Sequence, residues 1–430
     1  MNVYKNNNKI AKCWIDIDDI EESALEQINN VLNLPFIHKH VALMPDVHRG
    51  FGCVIGSVVA TKGVIIPSMI GVDIGCGMCA VKTSLKVSDI PVDTIKAIMG
   101  DIRKVIPVGF KKHQEMQDEE YMPYGGMHSN DMYDGINCAD FKADYPIVHQ
   151  EYNNARKSIS SLGGGNHFVE LQRDTDDYLW IMIHSGSRNL GYKVAKYYND
   201  LAKDLNAKWY SSVPKKYELA FLPMGTQEAA DYINEMNYCV EFALANRSLM
   251  MERIKEIIAT QLGRIAWTSD FEIPPNVDDK ESMAYGGHTV TFESMINIAH
   301  NYARLENHFG KNVWVHRKGA TSAKEGEIGI IPGSQGTKSY IVRGLGNKES
   351  FESCSHGAGR LMGRVVAKKI LDLAEQIAIL DKQGIVHNIR NISDLDEAPG
   401  AYKDIDVVMK NQEDLVEIVT ELTPIAVIKG

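Results

Sequence analysis

Gly71-Val72-Asp73-Ile74-Gly75-Cys76-Gly77 sets a carboxylate and a thiol three residues apart. The surrounding glycines let the backbone turn tightly and come close to a ligand. An oxygen and a sulfur together suit zinc, manganese, iron or cobalt better than calcium or magnesium. A buried cysteine in a glycine-rich turn is the plain alternative. Three more segments place a histidine beside glycine or at the end of an apolar run: His167, His184 and His300. None has the local spacing of a zinc motif, and each histidine alone reads as readily as a hydrogen-bonded structural residue. Together with Asp73 and Cys76 they suffice for a two-metal site with the sulfur as bridge.

Two further segments point to phosphate and nucleotide chemistry. In Ser355-His356-Gly357-Ala358-Gly359-Arg360 small residues surround an imidazole at an expected helix start. Free backbone N–H groups there favour phosphate, and His356 can act as a donor to phosphate, a general acid or a nucleophile on phosphorus. In Asn166-His167-Phe168-Val169-Glu170 an extended chain puts Asn166 and Glu170 on one face and His167 on the other. The Glu170 carboxylate can accept from N1–H and the exocyclic amine of guanine; a solvated glutamate on an edge strand is the alternative. Gly333-Ser334-Gln335-Gly336-Thr337 has the look of an anion-binding turn but lacks a P-loop ending.

The elements that must carry these residues can be read in outline. Helical periodicity predicts helices over Asp19–Leu34 and around Val92–Ile106, and a mostly helical stretch over 191–265. Within the last, Thr226–Leu262 is free of glycine and proline and is long enough to break once. A second helical stretch is predicted to end in Ala299-His300-Asn301-Tyr302. Strands are predicted before Asp73, at 168–171 and 179–184 as a hairpin, and through the glycine-punctuated C-terminal third. Chemistry-bearing segments run from residue 46 to the end, which predicts one catalytic domain, 1–430, with no separable halves.

Composition narrows the class. The 430 residues are 44% hydrophobic and 24% charged, ordinary for a globular protein, and no apolar run is long enough to span a bilayer. A formal net charge of −10 argues against nonspecific coating of nucleic acid, so a polyanion must be held by a local site. Seven cysteines without disulfide spacing, and an N-terminus lacking an apolar signal segment, predict a reducing cytoplasm and no membrane. The Cys76-Gly77-Met78-Cys79 spacing has no thioredoxin-like surroundings. Cys13, Cys53, Cys138 and Cys239 read as small apolar residues.

Taken in order, the motifs identify a family. Met44-Pro45-Asp46-Val47-His48, the Gly71–Gly77 segment, Gly165-Asn166-His167-Phe168, His184-Ser185-Gly186-Ser187-Arg188, His300-Asn301-Tyr302, Ile331-Pro332-Gly333-Ser334, the Ser355–Arg360 segment, Ala401-Tyr402-Lys403-Asp404-Ile405 and the Lys429-Gly430 tail resemble the RtcB family of RNA-splicing ligases, short bacterial type. The resemblance implies an α+β fold with antiparallel sheets around a binuclear metal cleft and a helical insertion near 191–265. It implies two Mn²⁺ ions on Asp73, Cys76, His167, His184 and His300, and GTP as cosubstrate. His356 matches the histidine that takes the guanylyl group, and the RNA 3′-phosphate then receives it before the 5′-hydroxyl of a second end attacks. Asn166, Glu170, Ser334, Ser339, Gly357, Gly359, Tyr402 and Lys429 match GTP-contacting positions. Arg188, Asn246 and Arg247 match segments assigned to RNA or phosphate, Asp46 and His48 lie close to the reacting centre, and an archease-like activator is a possible partner. Asn189, Arg49 and the 111–150 and 268–290 loops depart from the family pattern. Two other classes stay open: a metal-dependent phosphodiesterase that opens cyclic phosphates, and an RNA-end-binding protein without catalysis.

Overall fold

The computed structural model describes residues 1–6, 9–123, 145–263, 281–285 and 288–430; Cys138 and most of the 111–150 and 268–290 loops lie outside or at the border of these. The N-terminal elements are β1 (Asn2–Asn6), β2 (Lys9–Cys13), α1 (Glu22–Leu32), β3 (Ile37–His48), β4 (Ile55–Thr61), β5 (Val64–Ile65), β6 (Gly77–Lys86) and α2 (Val92–Val105). Then come α3 (Pro146–Arg156), β7 (Phe168–Asp174), β8 (Tyr178–Ser185), α4 (Arg188–Lys208), β9 (Leu222–Pro223), α5 (Gln227–Gly263), β10 (Glu281–Tyr285) and β11 (His288–Phe292). The remainder is β12 (Ile296–Ala299), β13 (Asn301–His308), β14 (Lys311–Lys318), β15 (Ala320–Ser322), β16 (Ile328–Ile331), β17 (Ser339–Gly344), β18 (Ser353–Ser355), α6 (Arg364–Ile370), α7 (Leu373–Lys382), α8 (Ile405–Lys410) and β19 (Val416–Lys429).

Two large sheets dominate. One runs β1-β2-β3-β4-β14-β13; the other runs β10-β11-β6-β8-β7-β19-β17-β16, with β12 also paired to β6. In the second sheet both faces are covered. Cys79, Val81, Val169, Leu171, Ile181 and Ile183 pack under α2 and the C-terminal half of α5. Met78, Ala80, Phe168, Trp180, Met182 and Val427 occupy the opposite face. This alternation is the period of two that a strand imposes, and it assigns Glu170 and His184 to the Phe168 and Met182 face. α5 is a single unbroken helix of 37 residues, roughly 55 Å long at 1.5 Å per residue. Its first half packs with α4 in a separate core around Tyr232, Met236 and Phe242.

The predicted helices at 92–106 and over much of 191–265, and the 168–184 hairpin, are present. The helical stretch predicted to end at His300 is instead two strands, β12 and β13. Phe292, Met295, Ile296 and Ala299 do fall at helical spacing, but a short apolar run cannot distinguish helix from strand by period alone. The open edge of β6 decides the matter: Ile296, Ile298 and Ala299 pair with Ala80, Met78 and Gly77. That pairing brings the Ile298 carbonyl to within 1.9 Å of where a Cβ on Gly77 would stand, so only glycine fits at position 77.

Candidate metal and nucleotide site

Sheet register gathers the ligand-type residues. Gly77 pairs with Ser185 on one side and Ala299 on the other, while Phe168 pairs with His184. Cys76, His167, His184 and His300, each at or next to a strand end, therefore meet at one edge of the sheet. His300 donates its backbone N–H to the Cys76 carbonyl at 2.8 Å. The Cys76 Sγ lies 3.3 Å from Nε2 of both His167 and His184, and His167 Nε2 is 3.2 Å from Asp73 Oδ2.

Two sets of ligand atoms result, Cys76–His184–His300 and Asp73–Cys76–His167, each with its atoms within 4.8 Å of one another. Cys76 belongs to both. His184 Nδ1 donates to the Asn166 carbonyl at 3.1 Å, which fixes the tautomer that leaves Nε2 free to ligate. Burial pushes His184 and His300 well down, so both imidazoles are neutral, the ligating form. Burial, reinforced by the Asp73 charge, pushes the Cys76 thiol well up; a cation must replace its proton. The donor set of one thiol, one carboxyl and three imidazoles thus fits two borderline divalent cations sharing the sulfur.

The ligand segments are locked from behind by Asn246 and Arg247 of α5. Both are fully buried and neither lines the cleft. Arg247 donates to the carbonyls of Gly75, Ser185 and Ile298 and to Asn297 Oδ1, which ties together three of the strand ends. Asn246 bonds both backbone polar groups of Ser161 and reaches the Ser185 hydroxyl and the Gly186 carbonyl. The expected RNA or phosphate contact of these two gives way here to a positioning role. Arg188 is likewise occupied, by Ser161 Oγ and the carbonyls of Gly109 and Lys111. At Gly163 (φ +88°) a Cβ would stand 2.3 Å from His167 Nδ1, so this turn also requires glycine.

The metal ligands open into a cleft of about 1520 Å³, which Asn166, Glu170, Ser334, His356, Gly357, Gly359, Tyr402 and Lys429 also line. His356 follows β18 in a loop, eight residues ahead of the start of α6, and not at a helix start as expected. A buried aspartate holds the residue in place there. Asp46 Oδ2 accepts from the His356 backbone N–H at 3.1 Å and from its Nδ1 at 2.5 Å. With the Nδ1 proton engaged there, Nε2 carries the lone pair. The His356 ring stands 4.9 Å from the His300 ring, centroid to centroid. His48, also at the cleft, bonds the Asp46 carbonyl, and burial takes it down to about 4.

Further along the cleft, Glu170 is buried on β7 with Gln172 donating to it at 2.7 Å, and burial raises its carboxyl. Lys429, at the end of β19, lies 5.4 Å over the Phe168 ring and is lowered by the same burial. Asn166 and His167 both face the cleft, contrary to the expected alternation, because β7 begins only at Phe168. Ser339 does not line the cleft. Its hydroxyl accepts from Gly333 N–H at 3.2 Å and from Gln172 at 3.1 Å, and so shapes the turn that carries Ser334. Glu397 was not legible in the sequence: it binds Arg360 at 3.1 Å, Arg364 at 2.8 Å and the Tyr402 hydroxyl.

Comparison with known proteins agrees with this geometry. A family model described as tRNA-splicing ligase RtcB matches residues 27–430. The chain is 39% identical over 428 residues to RNA-splicing ligase RtcB of Escherichia coli K12, and 38% identical over 428 residues to RNA-splicing ligase RtcB1 of another Escherichia coli strain, with 98% of each chain covered in both cases. It is 31% identical over 465 positions to tRNA-splicing ligase RtcB of Nanoarchaeum equitans, with 95% of this chain and 92% of that one covered.

Proposed function

Because this chain belongs to the tRNA-splicing ligase RtcB family and is an RNA ligase, we propose that it joins RNA 3′-phosphate or 2′,3′-cyclic phosphate ends to 5′-hydroxyl ends, using GTP. The observation that carries the mechanism is His356, anchored through Nδ1 on buried Asp46 and facing the ligand cluster across one cleft. In the first step His356 Nε2 attacks the α-phosphorus of GTP, forming a P–N bond and releasing pyrophosphate. An oxygen of the RNA 3′-phosphate then attacks the same phosphorus and restores the imidazole. The 5′-hydroxyl of the second end finally attacks the activated 3′-phosphate and expels GMP. A cyclic phosphate is first opened to the 3′-phosphate.

Asp73, Cys76, His167, His184 and His300 would hold two divalent cations, for which we propose Mn²⁺; the metals would neutralise charge on the transferring phosphates. Asp46 holds the nucleophile's proton at Nδ1 throughout. Glu170, at the base of the cleft, suits the N1–H and amine edge of guanine, with Ser334, Tyr402 and Lys429 as further contacts. The placement of β19, the last strand, between β7 and β17 supports one catalytic domain over residues 1–430. Six described cysteines, all unpaired, support a cytoplasmic location, and no helix among the described residues is long and apolar enough to cross a membrane. An archease-like activator is part of the same proposal.

Incubation with α-phosphate-labelled GTP and Mn²⁺, followed by denaturing electrophoresis, tests the first step. Label is expected on the wild-type chain and absent from His356→Ala. A chain that binds Mn²⁺ and opens cyclic phosphates, yet takes no label even with an activator present, is a phosphodiesterase and overturns the ligation mechanism.

A further inference from the structure

Three aromatic side chains stand exposed around the mouth of the cleft: Phe51, Phe110 and Tyr192. Phe51 is 52% exposed, Tyr192 is 45% exposed, and Phe110 is fully exposed. Single exposed apolar residues need no explanation. These three differ because they line one cleft and because a buried lysine and a partly buried arginine hold the backbone around two of them. Lys318 Nζ donates to the carbonyl of Phe51 itself at 2.5 Å, and also to Cys53 and Ser68. Arg188 binds the carbonyls on either side of Phe110, those of Gly109 and Lys111, and Gly109 N–H bonds the Gly163 carbonyl. Tyr192 projects from the regular helix α4. The backbone at Phe51 and Phe110 is thus held by side-chain donors while the rings themselves face solvent.

The groups among the rings are polar and partly cationic. Lys196 and Lys203 follow Tyr192 on the same side of α4 at helical spacing, and Lys203 Nζ lies 5.5 Å over the Phe51 ring. Both lysines pair with carboxylates, Lys196 with Asp200 at 2.6 Å and Lys203 with Glu218, so net positive charge here is small. The elements that bear the rings, the loops at 49–53 and 109–111 and helix α4, carry none of the residues assigned to GTP.

We propose that Phe51, Phe110 and Tyr192 form a stacking platform for unpaired RNA bases next to the ends being joined. Aromatic faces accept any base, and the compensated lysines contribute little long-range attraction. The platform would select substrates whose ends are single-stranded, without reading their sequence, and its salt dependence should be shallow. It rests on the RNA-ligase reading and adds to it a preference for frayed or looped ends over ends buried in a duplex.

The test is fluorescence anisotropy of a 3′-phosphate oligonucleotide with an unpaired end, on Phe110→Ala, Tyr192→Ala and the triple alanine variant of all three rings. Labelling by GTP and thermal unfolding of each variant serve as controls for fold. Each single change is expected to weaken binding on the order of tenfold, and the triple change more, in line with the usual contribution of base–aromatic stacking. Phe110→Trp should bind like wild type and Phe110→Leu like Phe110→Ala. Wild-type affinity in the triple variant, or full rescue by leucine, overturns the platform while leaving the ligase reading standing. A wild-type chain that neither takes label nor binds the oligonucleotide overturns both.

Discussion

Asp46→Asn changes one atom in a side chain that sequence alone did not single out as catalytic, and its effect can be worked out from the geometry. The carboxylate accepts two hydrogen bonds through Oδ2, from the His356 backbone and from Nδ1, at full burial. Asparagine can keep both only as a neutral acceptor, with its amide oxygen in the place of Oδ2 and its amide nitrogen in the place of the unpartnered Oδ1. If its amide nitrogen faces Nδ1, the imidazole must carry its proton on Nε2, which blocks the attacking lone pair. Loss of one charge-assisted bond alone is worth about 1.5–3 kcal/mol, or roughly 10–150-fold in rate. Enforcing the wrong tautomer on a catalytic histidine in other enzymes costs about 10⁴-fold. The expected fall in the single-turnover rate of GTP labelling therefore lies between about 10-fold and about 10⁴-fold. GTP affinity and Mn²⁺ content should change little, since Asp46 belongs to neither ligand set. The assay is rapid-quench labelling at saturating GTP, with folding checked by thermal unfolding. A folded variant that labels within about threefold of wild type would refute the assignment of Asp46 as the group that holds the His356 proton.

Other expectations follow from the same packing. Cys76→Ala should abolish binding at both candidate metal sites together, because the sulfur is common to the two ligand sets; elemental analysis that still finds one tightly held ion would argue against a bridge. Arg247→Met leaves the carbonyls of Gly75, Ser185 and Ile298 without their donor and should destabilise the fold by about 2–4 kcal/mol, read by denaturant unfolding. An unchanged midpoint would mean that water or a shifted strand takes its place. The Glu306 carboxyl is nominally raised by burial, but His308 and Arg317 bring it down to about 2. Its folded value lies below the unfolded one, so its contribution is complete above about pH 5 and disappears as the pH falls toward 2, amounting to roughly 3 kcal/mol. Glu306→Gln should flatten that part of the stability–pH curve, and a parallel curve would refute the assignment.

The residue types needed for a thiol–imidazole–carboxylate cluster, the helices at 92–105 and 227–263, and the 168–184 hairpin were all readable along the chain, because each depends on local composition or period. His300 was readable as a ligand type, but its element was not. Helical spacing and strand pairing compete over those few residues, and the free edge of β6, more than two hundred positions earlier in the chain, settles the competition. The partnership of Asp46 with His356 spans 310 residues and that of Cys76 with His184 spans 108, distances over which no local pattern carries information. Arg247 and Asn246 show the same limit from the other side. As polar residues in a helix they resemble ligand-binding groups until burial shows them holding strand ends. Sequence by itself determined the chemical inventory and the local elements of this protein. Which atoms face the cleft, which are held behind it, and which nitrogen of His356 is free were decided by sheet register and burial, since these depend on contacts that exist only once the chain has folded.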